Sequence, residues 1–193
     1  ENGKVYSDKS LASLALGGLT DGVTPYEMAA AYCTFPNNGG YIKPHTFTKV
    51  VDKNGKTVIE ADTTESVAMS KKTATQITQL LLGVTSAGGT GSSAYVSGFP
   101  VAGKTGTTDH VYDKWFVGYT PYYVGAVWFG YDTAKTIPSA YTNTAISTWN
   151  KVMASIHSSL PSKSFSGVST TIEVEVCTVS GKLPGEFCID KEG

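Results

Sequence analysis

One stretch of this sequence gathers a cation, hydroxyls and glycines closely enough to do chemistry: Lys104-Thr105-Gly106-Thr107-Thr108, preceded by Val101-Ala102-Gly103. Its β-branched residues suggest a strand, and glycines inside a strand mark a close approach by a ligand or another backbone. Alternation places Thr105 and Thr107 on one face and Lys104 and Gly106 on the other. An exposed strand edge can receive a peptide-like ligand as an added strand, and one of its N–H groups can donate to an oxyanion. Any anion must be held by lysine, hydroxyls or backbone N–H groups, because all 15 residues counted as Lys or Arg are lysines; no guanidinium fork is present. On these few residues alone, a plain strand with glycines for packing is the simpler reading.

Other reactive residue types are scattered. His45, His110 and His157 share no ligand spacing with Cys33, Cys177 and Cys188, so neither a metal nor another cofactor is expected. Asp109 and Asp113 flank the loop after the Lys-Thr-Gly strand and suggest a solvated turn. Tyr119, Tyr122, Tyr123, Trp128 and Phe129 suggest sheet core and rim. Cys33 follows Ala29-Ala30-Ala31-Tyr32 in a helical pattern and reads as a small buried hydrophobe. Cys177 and Cys188 lie in one Gly- and Pro-containing tail. They would pair in an oxidising compartment and stay as two thiols in a reducing one.

The elements that must position these residues follow from the local pattern. Leu14-Ala15-Leu16 is a short apolar stretch stopped by Gly17-Gly18. Thr24, Pro25 and Glu27 form a capping box with proline at the first helical position, predicting a helix to about Phe35. Segments 46–52 and 56–60 flank Lys53-Asn54-Gly55 and predict a hairpin. Ser70 caps a second helix, on which Ile77, Leu80, Leu81 and Val84 form the expected buried stripe. Strands are expected at 101–108, 115–120 and 122–131, joined by short connections and therefore antiparallel. A third helix follows, with Ile146, Trp149, Met153 and Ile156 on its apolar face; Pro161 stops it. Residues 162–169 form a Ser-rich linker, and 170–176 alternate as a strand. The order indicates an α/β architecture in which helices cover an antiparallel sheet.

The 193 residues suit one domain or a large part of one, and 40% hydrophobic content is enough for a packed core. A formal net charge of -1 gives no basic footprint for nucleic acid. No apolar run approaches the ~18 residues that span a bilayer.

Several segments, taken together, resemble the transpeptidase domain of class A high-molecular-weight penicillin-binding proteins. They are Ser13-Leu14-Ala15-Leu16-Gly17, Gly22-Val23-Thr24-Pro25-Tyr26-Glu27-Met28-Ala29, Ala31-Tyr32 and Gly89-Thr90-Gly91. They continue with Ala102-Gly103-Lys104-Thr105-Gly106-Thr107-Thr108, Trp115-Phe116-Val117-Gly118-Tyr119-Thr120-Pro121 and Val127-Trp128-Phe129-Gly130-Tyr131-Asp132. The matches run in order from Ser10 to Met153. The resemblance implies the penicillin-binding transpeptidase and serine β-lactamase-like fold. It also implies that the Lys-Thr-Gly strand lines one wall of an active site. Lys104 would place positive charge near an attacking serine and a substrate carboxylate. Thr105 would bind that carboxylate, Gly106 would leave room, and the N–H of Thr107 would complete an oxyanion hole.

The family reaction also needs a nucleophilic Ser with Lys three residues later, and a Ser-x-Asn motif. Neither occurs here; Thr148-Trp149-Asn150 comes near the second, but Trp149 belongs to an apolar helix face. In the family both motifs lie further N-terminal, so the expectation is a C-terminal part of the domain at 1–160, with a linker and small β-rich tail at 161–193. The implied partners are peptidoglycan stem peptides, β-lactam antibiotics and the N-terminal half of the domain, on the extracytoplasmic face of the membrane. A membrane anchor would belong to the parent protein. That compartment implies that Cys177 and Cys188 pair. Two other readings fit the same motifs: a non-catalytic peptidoglycan-binding module of this fold, and a serine β-lactamase.

Overall fold

A computed structural model of the chain describes residues 9, 11–19, 22–167, 174–177 and 179–185. Two helices come first, α1 (Leu11–Leu16) and α2 (Pro25–Tyr32). The capping box of α2 forms: the Glu27 N–H donates to Thr24 Oγ1 at 3.2 Å, and the Thr24 N–H donates to Glu27 Oε2 at 2.8 Å. These bonds use donors that a helix start otherwise leaves orphaned. The Thr24 N–H, and then its hydroxyl, hold the Glu27 carboxyl below its usual range. The helix stops short of Phe35 and turns through Gly39, whose φ of +91° is left-handed. Cys33, expected to be buried, is exposed at the C-terminal cap of α2. The helix ends there, and its apolar face ends with it.

Two small ribbons follow. β1 (Gly40–Ile42) pairs with β4 (Glu65–Val67), and β2 (Lys49–Val51) with β3 (Thr57–Glu60), each antiparallel. The second ribbon is the Asn-Gly hairpin. Asp52 Oδ1 accepts the N–H groups of Asn54 at 2.8 Å and Lys56 at 2.9 Å, and Gly55 takes φ +79°. The β1–β4 pair was not anticipated, because three-residue strands carry too little alternation to recognise.

Helix α3 (Lys71–Thr85) starts at Ser70, whose Oγ accepts the Thr73 N–H at 3.1 Å. Its buried residues are Ala74 and Thr78, whereas Leu80 is 73% exposed. The expected stripe is therefore rotated, and hydroxyls explain it. Thr78 Oγ1 donates to the Ala74 carbonyl at 2.9 Å and is bonded to the Tyr119 hydroxyl at 2.9 Å. Thr85 Oγ1 donates to the Val101 carbonyl. A threonine whose hydroxyl is satisfied can face inward.

The central sheet is an antiparallel meander in the order β5 (Ala102–Thr107), β6 (Asp113–Tyr119), β7 (Val124–Gly130). Helix α4 (Thr144–His157) lies across one face. Trp149 meets Phe116 edge-on at 5.2 Å and donates Nε1–H to the carbonyls of Gly118 at 3.2 Å and Gly125 at 3.1 Å. Glycine is needed beneath it: a Cβ on Gly125 would sit 2.8 Å from Trp149 Nε1, and one on Gly118 would sit 2.7 Å from the Phe116 ring. Ala94, Val96, Val101, Ala145, Ile146 and Met153 complete this core.

The last turn of α4 buries His157, and Ile156 is 44% exposed, against expectation. His157 Nδ1–H donates to the Met153 carbonyl at 2.7 Å, and Nε2 is 2.7 Å from Thr120 Oγ1. Thr120 Oγ1 also accepts the N–H groups of Tyr122 and Tyr123, which closes the β6–β7 turn. On the opposite face, Tyr119 meets Phe35 at 6.2 Å and Phe165 at 5.4 Å. The chain after α4 thus packs back on the sheet. Of the expected tail strand, 170–173 lie outside the described residues and 174–176 are coil. Cys177 sits in a turn closed by its N–H to the Lys182 carbonyl at 2.8 Å; Cys188 lies outside the described residues.

Candidate active site

The register fixes the geometry of β5. Thr105 opposes Phe116, Lys104 opposes Val117 and Thr107 opposes Lys114. Opposed residues share a face, so Thr105 and Thr107 lie on the α4 side and Lys104 and Gly106 on the other. Among the described residues β5 pairs only with β6, so its second edge is open. The Thr108 N–H donates to the Asp113 carbonyl at 3.3 Å, in continuation of the register. Bonded and non-bonded pairs alternate along an antiparallel ladder. The N–H and C=O groups of Thr105 and Thr107 therefore point to the open edge. Lys104 agrees with this parity: its Nζ bends over that edge to the Thr105 carbonyl at 2.8 Å.

Each threonine has its own partner. Thr105 Oγ1 lies 2.9 Å from Thr90 Oγ1, and Thr107 Oγ1 accepts from Lys114 Nζ at 3.1 Å. The glycines have packing reasons as well as room for a ligand. A Cβ on Gly106 would approach Trp115 Cβ to 3.0 Å, and one on Gly103 would approach the Phe116 ring to 2.8 Å.

Two supports were not visible beforehand. Asp113, expected in a solvated turn, is half-buried and works as a latch. Its carboxylate accepts from Trp128 Nε1 at 2.8 Å and Thr108 Oγ1 at 2.8 Å. It holds the 3₁₀ turn Asp109–Val111, where His110 and Val111 take φ +57° and +58°. Asn150 clamps the segment before β5: Nδ2 donates to the Ser93 carbonyl at 2.7 Å, and Oδ1 accepts the Tyr95 N–H at 3.0 Å. A polar residue next to Trp149 on the inner side of α4 was the available signal. Among the described residues no three His, Cys, Asp or Glu gather as metal ligands.

The sequence model for the penicillin-binding protein transpeptidase domain matches residues 1–157. This chain belongs to that family. The chain is 40% identical over 178 residues to Penicillin-binding protein 1A of Clostridium botulinum strain Langeland, an alignment covering 92% of this chain and 22% of that protein. It is 40% identical over 134 residues to Penicillin-binding protein 4 of Bacillus subtilis, covering 69% of this chain and 21% of that protein. It spans about a fifth of the length of these relatives.

Among solved structures it is similar to the D,D-transpeptidase domain of a peptidoglycan glycosyltransferase from Eggerthella lenta. That match has a TM-score of 0.56 at 31% identity, covering 70% of this chain and 32% of that one. Penicillin-binding protein 1A from Haemophilus influenzae shares the fold, with a TM-score of 0.70 at 24% identity over 91% of this chain and 32% of that one. The resemblance to class A penicillin-binding proteins and the α/β penicillin-binding fold are both borne out.

Proposed function

We propose that this chain forms one wall of the active site of a serine-type D,D-transpeptidase that cross-links peptidoglycan stem peptides and is acylated by β-lactams. The donor peptide, ending in D-Ala-D-Ala, lies along the open edge of β5. A serine outside these 193 residues attacks the penultimate carbonyl. The N–H of Thr107 donates to the oxyanion that develops, and the ammonium of Lys104 stabilises charge beside it. Thr105 binds the terminal carboxylate through its hydroxyl, and Gly106 lets the peptide approach. D-Ala leaves, and an amine of a second stem takes the acyl group from the serine. A β-lactam offers the same carboxylate and a strained amide, and stops at the acyl-enzyme.

The observation that carries this reading is the convergence on one open edge of the Thr105 and Thr107 backbone groups and the Lys104 side chain. The reading includes the extracytoplasmic face of the membrane, an anchor elsewhere in the parent, contact with the N-terminal half of the domain, a Cys177–Cys188 disulfide, and a division at 160/161. In the full-length protein carrying this chain, Lys104→Ala is expected to slow acylation by a fluorescent penicillin by about a hundredfold. Acylation at the unmodified rate by a folded Lys104→Ala protein would reject the assignment.

A further inference from the structure

We propose that Thr90 is a positioning residue for the ligand carboxylate: its hydroxyl donates to Thr105 Oγ1 and thereby directs the only hydroxyl hydrogen of Thr105 at the ligand. This rests on the reading of Thr105 as the carboxylate-binding hydroxyl. The two oxygens are 2.9 Å apart, and either one could be the donor when no ligand is considered. A hydroxyl has one hydrogen and two lone pairs, whereas a carboxylate only accepts. Thr105 must therefore give its hydrogen to the carboxylate, and its bond with Thr90 can survive only if Thr90 is the donor. The chain then runs Thr90 O–H to Thr105 O–H to carboxylate, each bond polarising the next.

Thr90 is fixed well enough to do this. The Gly91 N–H donates to the Val84 carbonyl at 2.9 Å, tying the loop to the last turn of α3. A side chain on Gly89 would collide with that same carbonyl, so the approach is possible only for glycine. The Ser92 N–H returns to the Gly89 carbonyl at 3.1 Å and the Ala94 N–H to the Gly91 carbonyl at 2.8 Å. Asn150 grips the loop at Ser93 and Tyr95. A line of contacts thus connects α4 and α3 through this loop to one hydroxyl on β5.

The test uses the full-length protein carrying this chain, benzylpenicillin, and the methyl ester of benzylpenicillin, which lacks the carboxylate. Thr90→Val keeps the shape and removes the hydroxyl; Thr90→Ser keeps the hydroxyl. Thr90→Val is expected to slow benzylpenicillin acylation by about two- to tenfold, the worth of one hydrogen bond. Thr90→Ser should restore the rate, the methyl ester should be insensitive to Thr90→Val, and Thr90→Val should add nothing in a Thr105→Val background. If Thr90→Val disturbs the loop, Thr90→Ala against Thr90→Ser makes the same comparison. Thr90 variants acylated at the unmodified rate, slowed equally with the ester, or slowed additively with Thr105→Val overturn the role of Thr90 while leaving that of Thr105 intact. A Thr105→Val protein acylated at the unmodified rate overturns both.

Discussion

Thr105 and Thr107 share a face of one strand and carry different partners, so the two should fail differently when altered. The Thr105 hydroxyl faces the Thr90 hydroxyl, and the Thr107 hydroxyl accepts from the Lys114 ammonium. The proposed contribution of Thr107 is its backbone N–H, which a side-chain change leaves in place. Thr105→Val is expected to cost roughly 1.5–3 kcal/mol in β-lactam acylation, the range for a hydrogen bond to a charged group. Thr107→Val should cost less. Equal losses, or a larger loss at Thr107, measured as second-order acylation constants, would refute the division of roles. The Lys-Thr-Gly strand and the facing of its side chains were legible in the sequence, because period-two alternation needs no tertiary information. The partners Thr90, Lys114 and Asn150 were not, because each reaches β5 or its neighbouring loop from another element.

At the scale of elements, the sheet meets α4 and α3 by different means. Under α4, glycines make a flat bed for Trp149; Gly125→Ala pushes a Cβ to 2.8 Å from its Nε1. That overpacking should destabilise the folded protein by about 1–3 kcal/mol. Gly83 in α3 has open space around its Cβ position, so Gly83→Ala should stabilise by about 0.5–1 kcal/mol through helix propensity. Urea unfolding of both variants checks the pair, and a neutral Gly125→Ala would show that the bed is not tight.

On the α3 side, Tyr119 is fully buried and bonded to Thr78. Burial pushes its hydroxyl from an ordinary 10.0 up to about 12, opposed by the Thr78 bond and reinforced by Tyr32. The folded state therefore holds this proton more tightly than the unfolded chain. The stability it contributes is complete below pH 10 and is lost as pH rises towards 12. The loss is on the order of 2–3 kcal/mol. Tyr119→Phe should flatten that stretch of the stability-versus-pH curve; an unchanged slope would argue against it.

The same contrast separates the helix features that follow from local sequence from those that do not. The Thr24–Glu27 cap is local and was legible. The buried faces of α3 and α4 depart from the sequence pattern, most plainly at the exposed Leu80 and Ile156, because Thr78 and His157 point inward with satisfied polar atoms. A hydrophobic period cannot register a polar residue whose partner lies on another element.

For the molecule as a whole, the proposed function divides the chemistry. Lys104 and the Thr107 N–H can stabilise charge, but no serine here has a lysine one helical turn away to take its proton. The 193-residue chain alone is expected to form no fluorescent penicillin adduct. Addition of the upstream half should restore labelling, at a serine outside this sequence. An acyl group found by mass spectrometry on a serine of this chain, Ser70 for example, would overturn that expectation. The exposed leucines of α1, with Leu11 at 81% and Leu16 at 88%, are the surface on which such a half could dry its contacts. The α/β class and the central meander were legible because three β-rich segments with short connections admit few arrangements. The β1–β4 ribbon, closed by residues far apart in sequence, was not.

The open edge of β5 also bears on how this protein behaves in concentrated solution. An unpaired strand is a template for copies of itself, and that is a common route to aggregation. Here the strand is short, Gly103 and Gly106 interrupt its rows of side chains, and Lys104 bends its ammonium over the Thr105 carbonyl. A second β5 approaching edge to edge would have to displace one lysine and bring up another like charge. The arrangement proposed to admit a peptide therefore also discourages fibril-like stacking, and on that reading colloidal stability and substrate access depend on the same few residues.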